Sequence, residues 1–243
     1  MNAVSDNSFT QSLFQLAQGI QRPSAILVIS AHWQTEGVHV LKADPPEMIY
    51  DFYGFPKELY QIQYPAKGAP PVSDRVHQLL NSSRLTSDWG MDHGAWSVLM
   101  HMYPHADIPV LQLSLNRAFK LKDHLEYAAQ LRELRNEGVL ILGSGNITHN
   151  LRAISSEVDA PKMDWAVEFD ERISRALLTR DLGALTASDS SLQSLWRQNH
   201  PTLEHYLPLL YIVGASYPTE TPVFPFTEFQ NGSLSMRSVR YGQ

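Results

Sequence analysis

Ala25-Ile26-Leu27-Val28-Ile29 is a short, uninterrupted apolar run set between Arg22-Pro23 and Ser30-Ala31-His32-Trp33. It is too short to span a membrane and lacks the polar alternation of a half-exposed strand, so it reads as a strand covered on both faces. Covering both faces requires a layer of helix on each side, which is an α/β architecture. The rest of the chain repeats this theme. Val38 to Leu41, Ile108 to Leu115 and Val139 to Gly143 are further candidate strands, and Ser233 to Val239 alternates with period two. Helical spacing falls at Ser8 to Ile20, Ser73 to Leu80, Ala95 to Met102, Leu121 to Arg135, Asp164 to Thr179 and Glu204 to Val213. The expected fold is α/β: a single domain over residues 1–243 with a mixed central β-sheet flanked by helices on both faces.

Composition narrows the function. A net charge of −6 without clustered Lys or Arg argues against nucleic acid and against an anionic membrane surface, leaving a small-molecule partner. A homo-oligomer is compatible with that. No apolar stretch approaches the ~18 residues of a membrane span, and no secretory leader opens the chain, so the expected compartment is the cytoplasm. There is no cysteine. Any metal must therefore be held by histidine and carboxylate.

In open α/β sheets ligands sit beyond the carboxyl ends of strands, so polar residues just after an apolar run are the best site candidates. His32 follows the first strand, and His149 follows the strand that ends at Gly143. His93 lies just ahead of a helix and His205 at the start of another, in Asp92-His93-Gly94-Ala95-Trp96 and Glu204-His205-Tyr206-Leu207-Pro208, where Asp92 and Glu204 are placed to orient the imidazoles or to act as ligands. Imidazole suits both zinc and iron and also transfers protons near neutral pH, so spacing alone leaves the roles open. The remaining histidines (39, 77, 101, 105, 124 and 200) need only a solvated or packed role. Ser30 and Ser144 lack the elbow of a serine hydrolase. The aperiodic stretch from Lys42 to Pro71, rich in Pro, Gly and aromatics, is long enough to wall a pocket.

Several blocks, in order, resemble the DOPA-type class III extradiol dioxygenases. They are Ser30-Ala31-His32-Trp33, Pro45-Pro46 through Asp51-Phe52-Tyr53-Gly54-Phe55-Pro56, Asp92-His93-Gly94-Ala95-Trp96, Gly145-Asn146-Ile147-Thr148-His149-Asn150, and Glu204-His205-Tyr206-Leu207-Pro208-Leu209-Leu210-Tyr211. The resemblance implies ring opening of a catechol such as DOPA or caffeate with O2 at a divalent metal, Fe(II) or Zn(II). It makes His32, His149 and His205 metal ligands, with His149 alternatively the acid-base residue and His93 in the pocket beside substrate or oxygen. Family members also begin with a strand leading into G-H-G-S-P-M-N, whose histidine is a further ligand, and this sequence matches only the end of that motif. The expectation is a site short of one imidazole, either because translation is assigned to an internal methionine, the favoured reading, or because this is a shortened form with a compromised site. Two other readings compete: a non-enzymatic binding protein of the MEMO type, and a metal-dependent hydrolase that needs no oxygen.

Overall fold

The computed structural model describes residues 2–187 and 192–242. Five strands form the central sheet: β1 (Ala25–Thr35), β2 (Val38–Leu41), β3 (Ser83–Thr86), β4 (Val110–Asn116) and β5 (Val139–Ser144), in the order β3-β2-β4-β1-β5. β1 runs parallel to both β4 and β5, while β2 is parallel to β3 and antiparallel to β4, so the sheet is mixed as expected.

The apolar run at the head of β1 explains the layers. Successive side chains point to opposite faces. Ile26 and Val28 join Leu13, Trp96 and Leu99 in one core, and Leu27 and Ile29 join Leu125, Leu210 and Tyr211 in the other. Each of these aliphatic side chains, fully buried, stabilises the fold by about 1.5–3 kcal/mol. The first layer holds α1 (Ser8–Gln18), and the helices after it are α2 (Pro70–Leu79), α3 (His93–Met102), which packs with α1, and α4 (Leu121–Ala128). Then follow α5 (Asp164–Thr179), the short α6 (Leu182–Leu185), α7 (Gln193–Asn199) and α8 (Leu207–Ala215), which packs on α4. Asn7 caps α1 through a reciprocal pair with Thr10, and Asp92 caps α3 by accepting the Ala95 amide. The chain closes in two small ladders, β6 (Val223–Phe226) with β9 (Ser238–Arg240) and β7 (Phe229–Gln230) with β8 (Leu234–Ser235).

Four local expectations are corrected. β1 does not end before His32 but continues to Thr35, its register against β4 slipping between Ile29 and Gln34. The intervening residues bulge away from β4, and a bulge re-aims the side chains it carries. The alternating run from Ser233 to Val239 is split between β8 and β9, because the Ser235 hydroxyl and the Arg237 guanidinium both turn onto the buried carboxylate of Asp170 in α5. The helix expected from Leu121 to Arg135 tightens into a 3-10 segment over Ala129–Glu137. The helix expected from Glu204 starts at Leu207, which leaves Glu204 and His205 in the segment leading into it. β3 and α7 had no signal in the sequence reading. Among the described residues no helix is long and apolar enough to cross a membrane.

Candidate metal centre

His32, from the β1 bulge, and His93, the first residue of α3, lie with ring centroids 4.0 Å apart. His205 faces His32 at 5.3 Å and stacks on His149 at 3.5 Å with only 9° between the ring planes. The four histidines singled out from the sequence therefore do converge.

Two close backbone approaches make this possible. A Cβ on Gly94 would sit 2.5 Å from the Ser30 Oγ, so only glycine lets α3 begin this near β1. A Cβ on Gly145 would fall 2.2 Å from the His205 carbonyl oxygen, which instead accepts the Asn146 amide at 2.8 Å. The loop leaving β5 is pinned further along. The His149 amide donates to the Asn199 carbonyl at 3.0 Å, and the buried His200 Nε2–H donates to the Ile147 carbonyl at 2.7 Å. His200, in a polar stretch of sequence, is thus a packed residue that supports the site from behind.

Of the two acids next to these histidines, Asp92 does not face them as a ligand. It is fully buried, and it accepts from the Ser30 hydroxyl at 2.7 Å, the Gln112 amide side chain at 2.8 Å and the Ala95 amide at 3.1 Å. Glu204 keeps a carboxylate oxygen within 4.8 Å of donor nitrogens of His149 and His205. The acid the sequence reading gave no role is Asp51, within the Asp51-Phe52-Tyr53-Gly54-Phe55-Pro56 block. Its Oδ2 accepts the His32 Nδ1–H at 2.6 Å, and its Oδ1 accepts the His93 amide at 2.9 Å. The His93 Nδ1 lies 3.0 Å from that Oδ1 without hydrogen-bond geometry.

The electrostatics differ from one histidine to the next. Burial lowers the His32 pKa, but the Asp51 hydrogen bond and the fields of Asp92, Asp51 and Glu204 outweigh it and leave the imidazole raised. Burial likewise works to raise the Asp51 carboxyl, and hydrogen bonds from His32 and His93 hold it well below the usual carboxylate range. His149 is lowered by burial and by His32, against the pull of Glu204. His205 is lowered further, by burial and then by the neighbouring imidazoles. Its Nδ1 is buried and has no hydrogen-bond partner among the described residues. A buried polar atom without a partner costs free energy unless something outside the chain satisfies it, and a lone pair among imidazoles and carboxylates suits a divalent cation. Two separate donor groups are each close enough to hold one: His32, Asp51 and His93, and His149, Glu204 and His205.

Beside His205 opens a cavity of about 670 Å³ that follows the outer edge of β5 from Val139 to Asn146, walled by α1 residues such as Leu13 and Leu16 and by Pro208 and Ile212 of α8. His32, His93 and His149 do not line it.

Comparison with known proteins decides what kind of centre this is. The family described as the catalytic LigB subunit of aromatic ring-opening dioxygenase matches residues 3–217. The chain belongs to this family. Its relatives include the 4,5-DOPA dioxygenase extradiol of Escherichia coli (strain K12), 40% identical over 100% of this chain and 91% of the relative, and that of Beta vulgaris, 38% identical over 91% and 84%. A crystal structure of an uncharacterized protein from Escherichia coli K12 superposes with a TM-score of 0.83 at 37% identity, covering 97% of this chain and 93% of the other. The chain is thus an extradiol-type, aromatic ring-opening dioxygenase of a metal-dependent family, and the binding-protein and hydrolase readings fall away.

Proposed function

We propose that the four histidines form the centre at which the ring of a catechol, such as DOPA or caffeate, is opened by O2, with Fe(II) as the working metal. The observation that carries this reading is the buried, partnerless Nδ1 of His205 amid three further imidazoles. His32 and His205 would hold the ion. His149 supports a different role. Imidazole lone pairs lie in the ring plane, so two rings stacked 3.5 Å apart and 9° from parallel keep their lone pairs in two separate, nearly parallel planes, and one ion cannot lie well in both. Of the ligand and acid-base roles the resemblance allows, this favours His149 as the group that accepts and returns the substrate proton. Burial keeps it neutral, the form that can accept one. His93, fixed at the head of α3, hydrogen-bonds substrate or oxygen. The Phe52 ring meets His93 edge-on, and Tyr50, Tyr60 and Trp96 pack against Phe52, an aromatic support that fixes the His93 side of the pocket. A divalent ion lowers the pKa of a catechol hydroxyl, and Fe(II), unlike Zn(II), can also pass electrons to O2.

The same reading gives the groove along β5 a role. β1 pairs with β5 on one side only, so the outer edge of β5 carries unpaired amides and carbonyls beside an apolar groove that ends at His205. A strand carrying G-H-G-S-P, laid there, would bring one more imidazole to the metal.

The test is anaerobic loading with Fe(II), then DOPA or caffeate, then O2. We expect a yellow ring-opened product with matching oxygen uptake, stronger when the chain is extended at its N terminus with a strand and G-H-G-S-P. Absence of both product and oxygen uptake from the Fe(II)-loaded extended protein overturns the reading.

A further inference from the structure

Asp51 sits in a long segment without periodicity, yet its backbone is held as firmly as a strand. The Ile49 amide donates to the Met91 carbonyl at 2.8 Å, the Met91 amide to the Glu47 carbonyl at 2.6 Å, and the Trp96 indole N–H to the Ile49 carbonyl at 3.0 Å. On the far side the Tyr50 hydroxyl donates to the Ile62 carbonyl at 2.6 Å, and Phe52 is buried against Trp96 and His93. These contacts tie the residues on either side of Asp51 to the lead-in of α3, so the carboxylate is a fixed feature of the site.

Both of its oxygens are engaged, one by the His32 ring and one by the His93 backbone. Oδ1 accepts the His93 amide, one of the N–H groups that the first turn of a helix leaves unpaired, while Asp92 accepts the Ala95 amide two residues on. Two carboxylates thus cap one helix end, where the helix dipole favours negative charge. Oδ2 meets His32 Nδ1 at 2.6 Å. An ionised carboxylate only accepts, so His32 Nδ1 must carry the proton and the Nε2 lone pair is left free.

We propose that Asp51 is a positioning residue that clamps His32 and His93 in one arrangement, selecting the His32 tautomer that presents Nε2 to the metal and fixing the α3 end from which His93 enters the pocket. The inference rests on reading His32 as a metal ligand. Carboxylates that orient metal-bound histidines in this way typically contribute 10–100-fold in metal affinity or activity.

Two measurements test it. The first uses the unaltered, metal-free protein: long-range ¹H–¹⁵N correlation spectra at alkaline pH, where the imidazole is neutral, should show His32 protonated at Nδ1. Protonation at Nε2 overturns the proposal, and this needs no variant to fold. The second compares Zn(II) and Co(II) affinity, by chelator competition, in Asp51→Asn and His32→Ala. Asp51→Asn should bind about 10–100-fold more weakly than the unaltered protein, with a changed Co(II) absorption spectrum. Affinity within about threefold of the unaltered protein, where His32→Ala loses the ion, overturns the clamp alone. If both variants keep full affinity, His32 is not a ligand and the underlying reading fails first.

Discussion

The two halves of the histidine centre are built on opposite principles. On the β1 side, the His32 ring and the His93 amide are tied to one carboxylate whose every oxygen has a partner, and the buried His93 Nδ1, though without a hydrogen bond, lies 3.0 Å from that same carboxylate. On the β5 side, His149 and His205 stack with the Glu204 carboxylate near but hydrogen-bonded to neither ring, and His205 Nδ1 is buried without a hydrogen-bond partner among the described residues. The first half is organised by folding. The second is left with an electrostatic deficit that a cation relieves, so a bound metal should matter most to the part of the site that the protein satisfies least.

The largest effect comes from breaking the unsatisfied half. His205→Phe keeps a ring of similar size and removes the orphaned nitrogen. We expect metal affinity to fall more than about 100-fold. In the metal-free protein the same change should leave stability unchanged or raise it by about 1 kcal/mol, because a buried polar atom without a partner is gone. Asp51→Ala should do the reverse to the apo protein, destabilising it by leaving the His32 N–H and the His93 amide unpaired. Denaturant titrations of the two variants compare the halves directly, and equal losses would erase the distinction.

Adding metal sharpens the same contrast. Zn(II) at 100 times its dissociation constant should stabilise the unaltered protein by about 2.7 kcal/mol, seen as a rise in melting temperature, and should do nothing for His205→Phe. Next in size is Gly145→Ala. Its Cβ would meet the His205 carbonyl at 2.2 Å, so the backbone has to move. A cost of about 2 kcal/mol is expected, together with weaker metal binding, since overpacking of this kind displaces the groups it touches. Gly37→Ala, with open space around the added methyl but a left-handed backbone, should cost stability and leave metal affinity alone.

The halves also differed in how legible they were. His32 and His149 stood out because apolar runs end near them, His93 because helical spacing starts just after it and His205 because it lies at the start of such spacing. Asp51 gave no such signal. It is 19 positions from His32 and 42 from His93 in an aperiodic segment, and only the bridge of Met48 to Met91 and the hydrogen bonds around it bring it in. Local pattern reports periodicity, and the partner of a histidine set by loop packing has none. The extent of β1 was hidden for a related reason. Ser30 to Trp33 look like the end of a strand, whereas the chain continues through a bulge that carries His32 and on to Thr35. The sheet order β3-β2-β4-β1-β5 could not be read either, because it depends on pairings between distant segments.

The smallest expected effect is a pH difference between the halves, read through His200, which braces the β5 side from behind. It is buried among Phe169, Trp196 and Tyr206, and burial lowers its pKa to about 4 from an ordinary 6.5, partly opposed by its hydrogen bond to Ile147. A depressed histidine pKa means that the unfolded chain binds the proton more tightly than the native one. Stability is therefore complete above about pH 6.5 and declines as the pH falls toward 4. At pH 5.5 the cost is about 1.4 kcal/mol, one unit below the unfolded value. The Asp51 side responds later, because a carboxyl held below its usual range loses its contribution only as pH falls below that range. Amide hydrogen exchange in the metal-free protein at pH 7 and pH 5.5 should show the His149 amide losing protection while the His93 amide keeps it, and His200→Phe should reduce the difference to the part that the lowered His149 and His205 carry. Equal loss at both amides would mean that acid unfolds the site as one unit, and that the two halves, though built differently, do not open separately.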